Sequence, residues 1–229
     1  MSRDAILRDI RAALGRTPDE HRDAAMAAGR RLAAPARHLV PKVGCAQGDA
    51  RTALFIAAVE RQSTRVLVVP DASAIPSALS GFLSSEGVPP TVRIGSDRFL
   101  ADLPWDSAPT LKRATGCAEA DDTASLSHAL AGVAETGTLV LASGADNPTS
   151  LAFLVDTHII AVAEDAIVGC YEEAFDKMRA TEGKGRMPRA LNLISGASRT
   201  GDIGGRIVLG AHGPRRLAVI IYGRGTVTA

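Results

Sequence analysis

Aromatic residues are scarce in this chain. Five Phe, two Tyr and one Trp are spread over 229 residues, so no core of stacked rings can form. Ala, Val, Leu and Ile must fill the interior, which suits helices packed on a buried sheet better than an aromatic-rich sandwich. Cysteine is equally sparse. Cys45, Cys117 and Cys170 lie more than fifty residues apart, and no C-x-x-C pair occurs. A zinc site or an iron–sulfur cluster normally shows such a pair. The expectation is three reduced thiols, with no metal and no cofactor in this chain, so that any electron-transfer cluster belongs to another one. No apolar run approaches the ~18 residues of a membrane span. The first residues, MSRDAILRDIR, lack the apolar stretch of a signal peptide. These absences predict a cytoplasmic protein with no membrane span.

Charge is present in balance but not in mixture. The formal net charge is +1. Residues 1–40 carry eight Arg against five acids, residues 41–178 nine bases against eighteen acids, and residues 179–229 nine bases against two. The last segment also holds ten of the 22 glycines. Arg within Gly-rich turns is a common way to hold an anion, because exposed backbone N–H groups converge where no side chain obstructs them. The alternative is a basic face that meets the acidic middle segment, within one chain or across a homo-oligomer interface. Nucleic acid is disfavoured, since stacking aromatics are missing from this segment apart from Tyr222.

Periodicity supplies the elements. Ser2 is placed to cap a helix whose stripe is Ile6, Leu7, Ile10 and Leu14. The Ala/Arg-rich stretch after it is either a second amphipathic helix or a linker, and Pro35 and Pro41 close this N-terminal arm. A helix is predicted over Asp49–Arg61, a strand at Val66–Val69, and an amphipathic helix through Ile75, Ala78, Leu79, Phe82 and Leu83. Val92 and Ile94 mark a strand, Gly95–Thr110 a loop, and Ala124–Leu130 a helix. Strands follow at 139–143, 158–162, 191–195 and 217–221, with helical segments near 150–154 and over 171–179. Helices alternating with short β-branched runs specify an α/β sandwich with a mostly parallel central sheet. The expected organisation is an arm, residues 1–40, and one α/β domain, residues 41–229.

In open α/β sheets the ligand lies at the carboxyl ends of strands, and three loops qualify by composition. Glu135, Thr136, Gly137 and Thr138 offer a carboxylate for acid–base or nucleophilic work, hydroxyls, and a backbone free to hold an anion. The same residues also fit a plain turn with Gly137 at positive φ. In Ser195–Gly205, the hydroxyls of Ser195, Ser198 and Thr200 surround Gly196, and Arg199 supplies a fork for a carboxylate or phosphate. Asp202 is expected to cap a helix starting near Ile203. Neither G-x-x-x-x-G-K-[ST] nor G-x-G-x-x-G is present, so a capped turn remains the competing reading. In Gly210–Pro214, His212 stands between glycines as a candidate acid–base group, and His158 opens a predicted strand. Each histidine alone also fits a structural role.

Taken together, AETGTLVL, HIIAV, ISGASRTGDI and VLGAHGPRRLAVII, in this order and spacing, resemble the LUD-domain family. The similarity extends to the SRDAILRDIRAALGR helix and to LPW near residue 105. Two departures are visible: Val155-Asp156-Thr157-His158 stands where L-P-x-x-H is expected, and Asp202-Ile203-Gly204 where Asp-Ile-Glu is expected. The resemblance implies a three-layer α/β/α sandwich like that of glucosamine-6-phosphate isomerase, ribose-5-phosphate isomerase and coenzyme A transferases. It implies a component of a cytoplasmic L-lactate utilisation system that oxidises lactate to pyruvate, with iron–sulfur clusters on partner proteins. This chain would then be an accessory or substrate-binding subunit for a small carboxylate or phosphate. The alternative is a stand-alone isomerase or transferase using Glu135 or His212. A third reading is a scaffold whose basic segment docks an acidic partner.

Overall fold

Ser2 caps the first helix as its position predicts, its hydroxyl accepting from the Ala5 amide at 3.3 Å. The computed structural model describes residues 2–34, 39–183, 185–203 and 206–223, so Pro35 and the glycines at 204 and 205 lie outside the described residues. These residues fall into two units that divide between Leu39 and Val40. The first holds α1 (Arg3–Ala13) and α2 (Pro18–Ala33). The ambiguous Ala/Arg-rich stretch is therefore a helix. Thr17 starts it with a reciprocal capping box, Thr17 Oγ1 accepting from the Glu20 amide and the Glu20 carboxylate from the Thr17 amide. Neither helix buries a residue.

The second unit runs in the order α3 (Gly48–Glu60), β1 (Arg65–Val69), α4 (Ile75–Ser85), β2 (Thr91–Ile94), α5 (Arg98–Ala101), β3 (Lys112–Thr115), β4 (Ala124–His128), β5 (Ala131–Val133), β6 (Thr138–Ala142), α6 (Ser150–Phe153), β7 (Thr157–Ala163), β8 (Ile167–Val168), α7 (Tyr171–Glu182), β9 (Leu191–Ile194), β10 (Arg199–Ile203), β11 (Arg206–Leu209) and β12 (Arg216–Tyr222). Six strands form an all-parallel sheet in the order β1-β12-β7-β4-β2-β3. Alternate residues of β7 face opposite sides, as a doubly covered sheet requires. Ile159 and Ala161 pack toward α4, where Ile75, Leu79, Phe82 and Leu83 form the stripe that periodicity predicts. Ile160 and Val162 pack the other way, against Phe55 and Val59 of α3 and Leu139 and Leu141 of β6. Each large aliphatic side chain so removed from water contributes about 2 kcal/mol.

The parallel sheet is thus the middle of a three-layer α/β/α sandwich. One outer layer includes a second sheet, β8-β5-β6-β9, mostly antiparallel, whose far face is covered by α7 through Ala174 and Tyr171. No helix among the described residues is long and apolar enough to cross a membrane.

Three sequence expectations are corrected. Ala124–Leu130 is not a helix: Ala124–His128 is strand β4, paired on both sides and buried from Ala124 to Ser127. Small side chains there suit a strand covered on both faces, with the Ser125 hydroxyl donating to the Leu151 carbonyl at 2.6 Å. No helix begins near Ile203. Arg199–Ile203 is strand β10, hairpin-paired with β11, so Asp202 heads no helix. Ile203 pairs with Arg206 in this antiparallel pair. The loop expected over Gly95–Thr110 contains α5 and a 3-10 turn at Trp105–Ser107.

Candidate functional site

The predicted loops do not lie at the carboxyl ends of the parallel strands. Glu135–Thr138 is the hairpin turn between β5 and β6, Ser195–Ser198 links β9 to β10, and Gly210–Pro214 precedes β12. The last two loops come together instead at the amino ends of β7 and β12. There Ser195, Gly196, Ser198, Arg199, His212 and His158 line one pocket of about 480 Å³, with Leu217, Phe153 of α6 and the β9 strand as its apolar wall. Backbone hydrogen bonds fix the two loops against each other: the Ser198 amide donates to the Pro214 carbonyl, and the Gly210 amide to the Ser198 carbonyl, both at 2.9 Å. Among the described residues the pocket is lined by Arg199 and His212 but by no Asp or Glu. Its polar surface therefore suits an anion.

Arg199 is exposed and already directed. Its Nη2 donates to the Gln62 carbonyl and to the Ser63 hydroxyl, both at 3.1 Å, which orients the guanidinium over the loop that follows α3. His212 is exposed. His158 is the opposite. It is wholly buried, its Nε2 lies 3.0 Å from the Ser127 hydroxyl, and its Nδ1 has no hydrogen-bond partner. Burial pushes its pKa down to about 3, so the imidazole stays neutral.

The turn residues support this pocket from behind without lining it. Thr138 Oγ1 is 2.6 Å from Ser195 Oγ, 2.7 Å from Thr136 Oγ1 and 2.7 Å from the Tyr171 hydroxyl. Gly137 adopts φ +69°, and a Cβ there would lie 2.7 Å from the backbone of Ala58 and Val59. Glu135 points elsewhere: its Oε1 accepts from the Tyr171 amide at 3.3 Å, at the start of α7. Thr200 sits in β10 opposite Val208 and does not line the pocket, and Asp202 lies in the same strand.

A different set of residues occupies the carboxyl ends of the parallel strands, and sequence reasoning missed it. Asp97 follows β2, His128 ends β4, Ala163 ends β7 and Tyr222 ends β12, all lining a crevice of about 450 Å³. His128 Nδ1 is 3.0 Å from Asp97 Oδ2, and its Nε2 is 2.8 Å from the Tyr222 hydroxyl. The Phe99 ring stacks on His128 at 4.2 Å and on Tyr222 at 5.1 Å, fixing both rings. Burial alone would raise the Asp97 carboxyl. The hydrogen bond and charge of His128, with the amides of Phe99 and Leu100, outweigh it and hold Asp97 below its ordinary range. Burial, with the charges of Asp165 and Asp97, pushes the Tyr222 phenol up to about 12. Reading β4 as a strand would have put His128 at a strand end and exposed this signal.

Among the described residues no group of three or more His, Cys, Asp or Glu is placed to hold a metal ion. The family model described as the LUD domain matches residues 52–222. Lactate utilization protein C of Deinococcus radiodurans is 38% identical over 143 residues, which cover 60% of this chain and 60% of that protein. Lactate utilization protein C of Bacillus subtilis is 37% identical over 90 residues, 39% of this chain and 38% of that protein. The chain thus spans about three fifths or less of the length of these relatives. Among solved structures, a DUF162 family protein from Deinococcus radiodurans is 25% identical with a TM-score of 0.57, over 76% of this chain and 96% of that one.

Proposed function

We propose that this chain, which belongs to the LUD-domain family, takes part in L-lactate utilisation in the cytoplasm by binding a small carboxylate for iron–sulfur partner proteins. The observation that carries this reading is the convergence of Ser195–Arg199, His212 and His158 on one pocket with cationic and hydroxyl groups and no acid among its described lining residues. A carboxylate matches the planar fork of Arg199, and the hydroxyls of Ser195 and Ser198 match its remaining acceptors. His158, neutral and wholly buried at the pocket wall, adds no charge to it. The printed names of the relatives add support for lactate as the carboxylate. The close-spaced cysteines of a cluster are missing from the sequence, which is why redox chemistry is assigned to partners.

The competing isomerase or transferase reading uses Glu135 or His212 as its acid–base group; Glu135 is engaged at the start of α7, which leaves His212 to carry that reading. Calorimetric titration of the purified chain with L-lactate and with pyruvate tests the proposal. Saturable binding that Arg199→Ala weakens at least tenfold is expected. No binding of either acid, or equal binding by the variant, would overturn it. Affinity purification from lactate-grown cells should recover iron-bearing proteins with this chain, and iron-free isolation would remove the partner half of the reading.

A further inference from the structure

The crevice at the other end of the same strands has a different chemistry. In the parallel sheet the chain leaves β2 outward to the edge strand β3, then returns to β4 and proceeds the opposite way through β7 and β12. The direction of winding reverses between β2 and β4, and the loops beyond such a reversal splay apart to leave room for a ligand. Asp97 and His128 occupy those two strand ends, and Tyr222 completes a hydrogen-bonded row with them.

The order of donors in that row follows from Asp97. An ionised carboxylate only accepts, so Nδ1 of His128 carries the proton and donates to Asp97 Oδ2. With a neutral ring, Nε2 then accepts from the Tyr222 hydroxyl. This leaves the lone pairs of the Tyr222 oxygen to accept a hydrogen bond from a molecule in the crevice. The logic is that of a nucleophile, imidazole and carboxylate in series, with a phenol in the first place.

We propose that this crevice is a second ligand site, for a small uncharged molecule bearing a hydroxyl group, and that the Tyr222 hydroxyl is the group that meets it. His128 and Asp97 are positioning residues. The ligand class follows from the walls. Asp146, Asn147, Ser143, Thr181 and Glu182 supply acceptors for hydroxyl protons, and among the described residues no Lys or Arg lines the crevice. Among the described residues an anion would meet the carboxylates of Asp97, Asp146 and Glu182 with no Lys or Arg beside them, the reverse of the pocket at the amino ends. The ligand O–H donates a hydrogen bond to the Tyr222 oxygen while the Tyr222 proton stays in its own hydrogen bond to Nε2, so no bond to hydrogen is broken and no charge is created.

The test uses 1,2-propanediol, which keeps the hydroxyl of lactate and lacks its charge, as probe against L-lactate. Ring signals of His128 in ¹⁵N-labelled full-length protein report on the row directly. Saturable shifts with the diol are expected, with none from lactate, and at least tenfold weaker diol binding in Tyr222→Phe. Asp97→Asn should change the ring nitrogen shifts of His128 without diol, which a merely structural contact at a distance would not. Unmoved His128 signals in the wild-type titration overturn the proposal whether or not the variants fold. So does equal binding of the diol by Tyr222→Phe, or a preference for the anion or for ethanolamine over the diol. Lactate binding at Arg199 is read separately, so either site can fail without the other.

Discussion

The ring of His158 is held to the Ser127 hydroxyl through Nε2 at 3.0 Å, and its Nδ1 is left without a partner among the described residues. Two adjacent strands, β4 and β7, thus share one buried polar contact on the face that borders the anion-compatible pocket. A buried polar atom left unpaired costs about 1–3 kcal/mol, so Nδ1 is a cost that the pairing of Nε2 does not offset.

His158 also sets an acid limit on stability. Its pKa of about 3 in the fold lies below the ordinary value of 6.5, so between those values the unfolded chain binds a proton that the folded chain refuses. Stability from this group is complete above pH 6.5 and falls on acidification, by about 1.4 kcal/mol per pH unit. Denaturant unfolding at pH 7 and pH 5 should therefore show a drop of about 2 kcal/mol that His158→Gln removes. An equal drop in the variant would assign the acid sensitivity elsewhere.

Thr138 is the hub of the hydroxyl cluster behind Ser195. Thr138→Val keeps the shape but removes three hydroxyl contacts, leaving Thr136 and Tyr171 paired with each other and Ser195 open to water, so a loss of about 1 kcal/mol is expected. A double-mutant cycle with Tyr171→Phe should return a coupling energy well above the scatter for independent sites, ~0.5 kcal/mol.

Gly137→Ala should destabilise more than an ordinary glycine replacement. The added Cβ would press on the backbone of Ala58 and Val59 at 2.7 Å, and neither can retreat, because α3 is packed between the two sheets through Phe55 and Val59. A loss above about 2 kcal/mol in urea midpoint analysis is the expected outcome, with strain at positive φ adding to the overlap.

The three thiols should separate by reactivity. Cys45 and Cys117 are exposed, whereas Cys170 is buried and burial pushes its thiol pKa up. A colorimetric thiol reagent at pH 8 should titrate two groups within minutes and the third only on unfolding. Three fast groups would mean that the start of α7 opens readily.

The elements legible from residue pattern were those with one wet face. The stripe Ile75, Leu79, Phe82 and Leu83 repeats at helical spacing because α4 meets the sheet on one side only. β4 was illegible for the opposite reason: Ala124, Ser125, Leu126 and Ser127 are all buried, so no alternation in polarity marks them as a strand. Asp202-Ile203 reads like a helix start locally, and only pairing with β11 makes it a strand. The residues of the anion-compatible pocket were visible as Gly-rich loops. The row Asp97, His128 and Tyr222 was not, because its members are far apart in the chain and meet only where the sheet is wound.

That winding has a cost in time. β12, the last of the described strands in chain order, inserts between β1 and β7 and pairs in parallel with both. Until residues 216–222 arrive, a chain emerging from the ribosome holds β1 and β7 as two open edges, with Ile159, Ile160 and Val162 beside the gap. Such edges invite pairing with other nascent chains. Among the described strands β1 pairs with β12 alone, so the first strand of the sheet joins it only when this segment docks.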